Sequence, residues 1–203
     1  MNEQSNIEII YSLFDSKKFK EVIDKCRRLL EEYNSPELYR YLGKSLVAIG
    51  ETTDGLKNLN IAITSLKEDI DLILDIAKAY SQIGDLQKAK LMYMQALDID
   101  GSSILALTNL SCIESSLGKN DTALSLCIKA INYSPSDSNV WFVKSELLFK
   151  MKKFLDAEIA IERSILIDSK NPRSFLLLAN IQMANGDNDK AEESIRMAIE
   201  IDP

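Results

Sequence analysis

ILALTNLSCIESSLGKNDTALSLCIKAINYSPSD, residues 104–137, holds a helix, a turn and a second helix in 34 residues, and the rest of the chain repeats it. Leu107, Leu110, Ile113 and Leu117 recur at the spacing of one helical face, and Gly118 stops that face. Ala123, Leu126, Cys127, Ala130 and Ile131 build a second face, and Pro135 closes the unit. A single pair of this kind cannot bury both apolar faces, so the pattern predicts stacked neighbours.

Steps of 34 from Ala123 reach Gly55, Ala89, Ala157 and Ala191, a column of Ala and Gly only. A second small column runs Ala62, Ala96, Ala130, Ser164 and Ala198, and a third runs Gly43, Ala77, Ser111, Ser145 and Ala179. Small residues predict where helices touch most closely. Between those contacts stand larger residues expected in the core: Tyr39, Ile73, Leu107, Trp141 and Phe175 in first helices, and Leu59, Tyr93, Cys127, Ile161 and Ile195 in second helices. Gly50, Gly84, Gly118 and Gly186 each follow a first helix, where a left-handed residue ends it without a Cβ penalty, while the fifth unit has Lys152 there. Ser35 before Pro36 and Asn171 before Pro172 read as N-caps with proline at the first helical position.

This pattern resembles the tetratricopeptide repeat family, whose signature sets aromatic, Leu, Gly, Ala and Pro positions at fixed offsets in 34 residues. Residues 70–101 carry it through Ile73, Ile76, Ala77, Tyr80, Ala89, Tyr93 and Ala96, and residues 172–203 through Phe175, Leu178, Ala179, Ala191, Ala198 and Pro203. Departures are Lys144 in place of Leu, Glu114 and Gln182 in place of an aromatic, and Lys67 and Ser169 in place of Pro. The first unit fits when Val22 takes the small column, 33 residues before Gly55. The expected fold is all-α: a right-handed superhelical solenoid of six helix-turn-helix units, near 3–35, 36–69, 70–103, 104–137, 138–171 and 172–203, in one domain spanning 1–203.

Composition narrows the function. The 203 residues are 46% hydrophobic and 27% charged, ordinary for a folded protein. Net charge −7 opposes tracking a phosphate backbone or an anionic membrane surface. With no His, histidine general-base chemistry and His-ligated metals are excluded, and Cys26, Cys112 and Cys127 lack ligand spacing. Cys26 and Cys127 lie in apolar helical stripes and read as small buried hydrophobes. The N-terminus shows no signal-peptide pattern and no stretch has the length of a membrane span, so the expectation is a cytoplasmic protein without cofactor, metal or enzymatic activity.

The resemblance implies an adaptor whose first helices line a concave groove for an extended peptide or a partner helix. Expected groove residues are basic and aromatic early (Tyr11, Arg40, Lys44, Lys78), polar in the middle (Asn109, with Thr108, Cys112 and Ser115), and apolar late (Phe142, Phe149, Leu176, Met183, beside Asn180 and Glu146). Glu37 and Asp75 stand three residues before Arg40 and Lys78 and are placed to pair with them. One family branch grips acidic chaperone C-termini with Lys and Asn on successive first helices. Here Asp75 replaces that Asn, and Leu105 and Asn109 replace the later cations.

The leading expectation is thus a non-catalytic scaffold for a protein or peptide partner. A subunit of a larger enzyme or of a transport or assembly complex is the alternative, and a helical-repeat nucleic-acid binder is a weaker one. Ile199 and Ile201 match the internal pair Ile165 and Ile167, so the expectation is that an uncovered C-terminal edge self-associates or that the chain is part of a longer one.

Overall fold

The computed structural model describes residues 3–202; Pro203, the expected end of the sixth unit, lies outside them. The described residues form twelve α-helices. In the first half these are α1 (Glu3–Asp15), α2 (Phe19–Leu29), α3 (Pro36–Ala48), α4 (Thr52–Ile63), α5 (Ile70–Gln82) and α6 (Leu86–Ile99). The second half contributes α7 (Ile104–Ser116), α8 (Asn120–Tyr133), α9 (Ser138–Lys150), α10 (Phe154–Ile167), α11 (Pro172–Asn185) and α12 (Asn188–Ile201). They group into two compact units, 1–101 and 102–203.

Each unit stacks three helix pairs. In the first, α1 touches α3 and α3 touches α5, so first helices form one layer while α2, α4 and α6 back them. The second unit repeats the arrangement, with α9 between α7 and α11. Local chemistry sets the boundaries. Gly50, Gly84, Gly118 and Gly186 have φ of 92°, 78°, 78° and 91° and end first helices as expected. Lys17 and Lys152 do the same work at φ 57° and 59°, with a Cβ in the left-handed region. A capping column that the sequence showed only at its ends runs Ser35, Asp69, Ser103, Asp137 and Asn171. Four of these side chains accept a backbone N–H of the helix that follows (Leu72, Ala106, Asn139 and Arg173 respectively). Ser35 makes no such bond, and its hydroxyl lies 3.5 Å from Glu37 Oε2.

The small columns are the helix contacts. Cβ atoms at Gly43 and Gly55 would each fall 2.8 Å from the other residue's carbonyl oxygen, so α3 and α4 meet backbone to backbone. Where serine holds the column, its hydroxyl spans the contact: Ser111 Oγ donates to Ala123 O at 2.9 Å and Ser145 Oγ to Ala157 O at 2.7 Å. Around them the core is aliphatic, with Ile10, Val22, Cys26, Leu38 and Leu46 in the first unit and Val143, Leu147, Ala160, Ile161 and Ile181 in the second. At the family's aromatic positions, Glu114 and Gln182 are buried, and Gln182 Oε1 accepts the Ser194 hydroxyl at 2.8 Å.

Candidate partner-binding faces

Residues on the first-helix layer of the first unit form an aromatic and charged face. Tyr11 on α1 lies 4.7 Å from the Tyr41 ring on α3, and Phe14 meets Tyr41 edge-on at 5.2 Å. Burial pushes both tyrosine hydroxyls above their usual pKa. Lys44 sits over Phe14 at 5.3 Å and reaches Asp75 of α5 at 2.8 Å. Arg40 meets Asp69 at 2.6 Å, and Asp69 also caps α5 through Leu72 N–H. Arg40 and Lys44 therefore pair with the neighbouring first helix, and the expected local partner of Arg40, Glu37, is bypassed. Lys78, expected to pair with Asp75, is exposed and makes no ion pair among the described residues. Together with Lys44, Asp75, Gln82 and Phe14 it lines a cleft of about 290 Å³.

A different chemistry covers the same layer in the second unit. Cys112, Ser115 and Ser116 of α7 face Glu146 and Lys150 of α9 across a cleft of about 190 Å³. Lys150 Nζ donates to Ser115 O at 2.6 Å and braces the two helices. Burial, then the proximity of Cys127 and Glu146, pushes the Cys112 thiol up to about 11 although part of the residue is exposed. Desolvation raises the Glu146 carboxyl as well. Asn109 donates one amide hydrogen to Leu105 O of its own helix at 2.8 Å, which leaves its second hydrogen to donate and its side-chain oxygen to accept. On α11, Leu176, Asn180 and Met183 are exposed.

Phe142 is not on this face. It is 6% exposed, inside the core with Leu177, Leu178 and Ile181, and the Arg173 guanidinium covers its ring at 5.0 Å. The helical spacing it shares with exposed residues leaves it one residue off the surface, on the flank that α11 covers. Phe149 is half-buried against Phe154 at 5.7 Å. Phe14, Tyr41, Gln82 and Lys150 were not among the expected groove residues. A readable signal existed for one pair: Phe14 before Phe19 and Phe149 before Phe154 repeat the same five-residue step around a Lys-Lys turn.

Comparison with known proteins finds the same repeat. The tetratricopeptide repeat model matches residues 70–103 and 172–203. The chain carries tetratricopeptide repeats at these two places. It is 32% identical over 112 residues to the photosystem I assembly protein Ycf3 of Synechococcus elongatus, which covers 52% of this chain and 65% of that one. It is also 31% identical over 100 residues to a STIP1 homolog of Dictyostelium discoideum, covering 49% of this chain and 18% of the relative. The repeat chain thus spans only part of the length of these curated relatives. Among solved structures, MamA of Desulfovibrio magneticus superposes with TM-score 0.72 at 15% identity over 83% of this chain and 96% of that one. The C-terminal part of a repeat protein from Cytophaga hutchinsonii gives 0.77 at 17% identity over 96% and 78%. These likenesses carry the fold, an all-α repeat solenoid. Among the described residues no helix is long and apolar enough to cross a membrane.

Proposed function

We propose that this repeat protein is a non-catalytic interaction scaffold that holds an extended segment of a partner protein on its first-helix layers, in an assembly role. The observation that carries the reading is the pair of open clefts between adjacent first helices, one beside Lys78 and Gln82, the other lined by Ser115, Ser116 and Glu146. Lys78 supplies a cation for a partner carboxylate, Asn109 and Asn180 offer hydrogen bonds to a peptide backbone, and Leu176 and Met183 give an apolar side chain a place to lose water. Arg40 and Lys44 position the cleft, since their charges are already matched by Asp69 and Asp75. The Ycf3 relative, named as an assembly protein, supports an assembly role. Net charge −7 favours protein over nucleic acid or an anionic membrane, and three free thiols fit a reducing, cytoplasmic setting.

The test is to isolate a bound segment from lysate and measure its affinity for variants. Lys78→Glu should weaken binding about tenfold in a salt-dependent way, Met183→Asp in a salt-independent way, and Arg27→Glu on α2 should change nothing. If Arg27→Glu matters as much as the other two, the partner uses the second-helix side and the reading fails. Self-association through α12 belongs to the same proposal, supported by Ile199 at 57% exposure, with Ile201 half-buried beside it. Sedimentation that is independent of concentration and unchanged by Ile199→Lys would remove it.

A further inference from the structure

One column of the repeat is broken by a charge. Leu42, Ile76, Leu110 and Leu178 stand 34 or 68 residues apart and are all buried, and the fifth unit places Lys144 at that position, half-exposed. Its Nζ lies 5.0 Å from the centroid of the Trp141 ring, and the indole is fixed in turn because Nε1 donates to Pro135 O at 2.9 Å. Beside this pair a cleft of about 260 Å³ opens between α8 and α10, on the side away from the first-helix layer. Its walls are Leu124, Ile128 and Ile159, with Trp141 beneath.

The cleft continues into an apolar stripe. Leu155, Ile159 and Leu166 of α10 are 68%, 61% and 72% exposed, and steps of four and seven residues put them on one side of the helix. From Leu155 to Leu166 the stripe runs about 16 Å, three helical turns. Charges at the mouth are unmatched. Lys153 and Asp156 both line it three residues apart, a spacing that closes into ion pairs at Lys18–Glu21, Asp54–Lys57, Asp85–Lys88 and Asp187–Lys190, yet here they form none. Among the described residues Lys144 pairs with no carboxylate either, so the mouth carries two cations against one anion.

We propose that this cleft docks an amphipathic helix of a partner protein, which sinks an aliphatic side chain against Trp141 and sets a carboxylate against Lys144 and Lys153. A three-turn stripe beside a small cavity fits a helix laid along α10 with one anchoring side chain. The partner must be acidic there, because covering the two lysines with apolar surface alone would strand their charges. Farther along, Glu162 lies on the same side of α10 and calls for a basic residue toward the other end of the partner helix, which fixes its direction. This surface is separate from the first-helix clefts and stands or falls independently of them.

Trp141 is the only tryptophan of the chain, so its emission reports on the cleft. The probes are two synthetic 16-residue helical peptides with the same leucine stripe, one bearing two Glu at its first turn and the other Lys in their place. The acidic peptide should shift Trp141 emission saturably and bind at least tenfold tighter than its Lys counterpart. Lys144→Leu restores the residue type of the other units and should keep the helical circular dichroism while lowering acidic-peptide affinity about fivefold and flattening its salt dependence. Ile159→Glu should abolish the shift. Equal binding of the two peptides, full binding by either variant, or no emission change at millimolar peptide would overturn the proposal. Self-association of the protein alone that Ile159→Glu disperses would also overturn it, by assigning the cleft to a second copy.

Discussion

The two halves of the protein solve one packing problem in different ways. In the first, neighbouring first helices are tied by ion pairs, Arg40 to Asp69 and Lys44 to Asp75, and α3 meets α4 through facing glycines. In the second half, the acceptors are uncharged: Lys150 reaches the Ser115 carbonyl, and serine hydroxyls bridge two of the three helix pairs to an alanine carbonyl. A repeat unit therefore demands a small residue and a cross-link at given places, and leaves open whether charge, hydroxyl or bare backbone meets the demand. What is left over for a partner differs accordingly. Lys78 and an aromatic cluster face outward in one half, hydroxyls, a thiol and Met183 in the other.

Thiol reactivity should separate the halves most sharply. Burial lifts Cys112 from the ordinary 9.0 to about 11 and Cys26 to about 12, so both stay protonated at pH 8. Since the thiolate is the nucleophile, Cys112 should react with a small alkylating reagent about 100-fold more slowly than an unperturbed thiol. Its rate should rise about tenfold per pH unit up to the lifted value. Cys26 has no solvent exposure and should wait for the first half to open. A Cys112 rate like that of a free peptide at pH 8 would contradict the narrow α7–α9 cleft.

Next in size is the backbone contact. A Cβ at Gly55 would stand 2.6 Å from Val47 Cγ2 and 2.8 Å from Gly43 O, so Gly55→Ala should destabilise by about 2 kcal/mol despite alanine's higher helix propensity. The matching position in the second half already holds Ala157, fully buried, and there Ala157→Gly should cost about 1 kcal/mol. Urea denaturation of both variants checks the pair. No loss on Gly55→Ala would mean that glycine is not required at the α3–α4 contact.

How far the sequence foretold this follows from what is local. Periodicity and end-capping are set within one helix, so the repeat register, the left-handed glycines and the all-α class were all readable. Arg40 was not, because its local option Glu37 competes with Asp69, 29 residues away and adjacent only once the helices stack. Phe142 failed for a related reason. Its spacing places it toward α11 as readily as toward the open face, and only the buried Leu177, Leu178 and Ile181 decide between them. Lys144 shows the opposite case, a visible break in a column whose consequence, a cleft beside Trp141, needed the packing to be seen.

A smaller effect is expected from the hydroxyl bridges. Ser145 is fully buried and its hydroxyl donates to Ala157 O at 2.7 Å, a carbonyl already inside a helix. Ser145→Ala therefore strands no donor and should cost about 1 kcal/mol, read as a lower urea midpoint at unchanged slope. If the change costs nothing, the column needs small size alone and the hydroxyl is incidental.

The smallest expected change is a gain. Lys17 in the first half and Lys152 in the second hold φ of 57° and 59°, where the other described units use glycine. A side chain in the left-handed region costs about 1 kcal/mol or more, and glycine returns part of that gain by adding freedom to the unfolded chain. Lys152→Gly should thus stabilise by about 0.5 kcal/mol, and Lys17→Gly by a similar amount. Because the two lie in different halves with no shared contact partner, the double variant should show the sum. The reverse change, Gly118→Lys, moves a fourth-unit turn into the state of the fifth. No atom lies within 4 Å of a Cβ built there, so only backbone strain should be felt, again by about 0.5 kcal/mol but with the opposite sign. Should Lys152→Gly destabilise while Gly118→Lys is neutral, the lysine contributes a contact that glycine cannot, and the two turns would differ in kind.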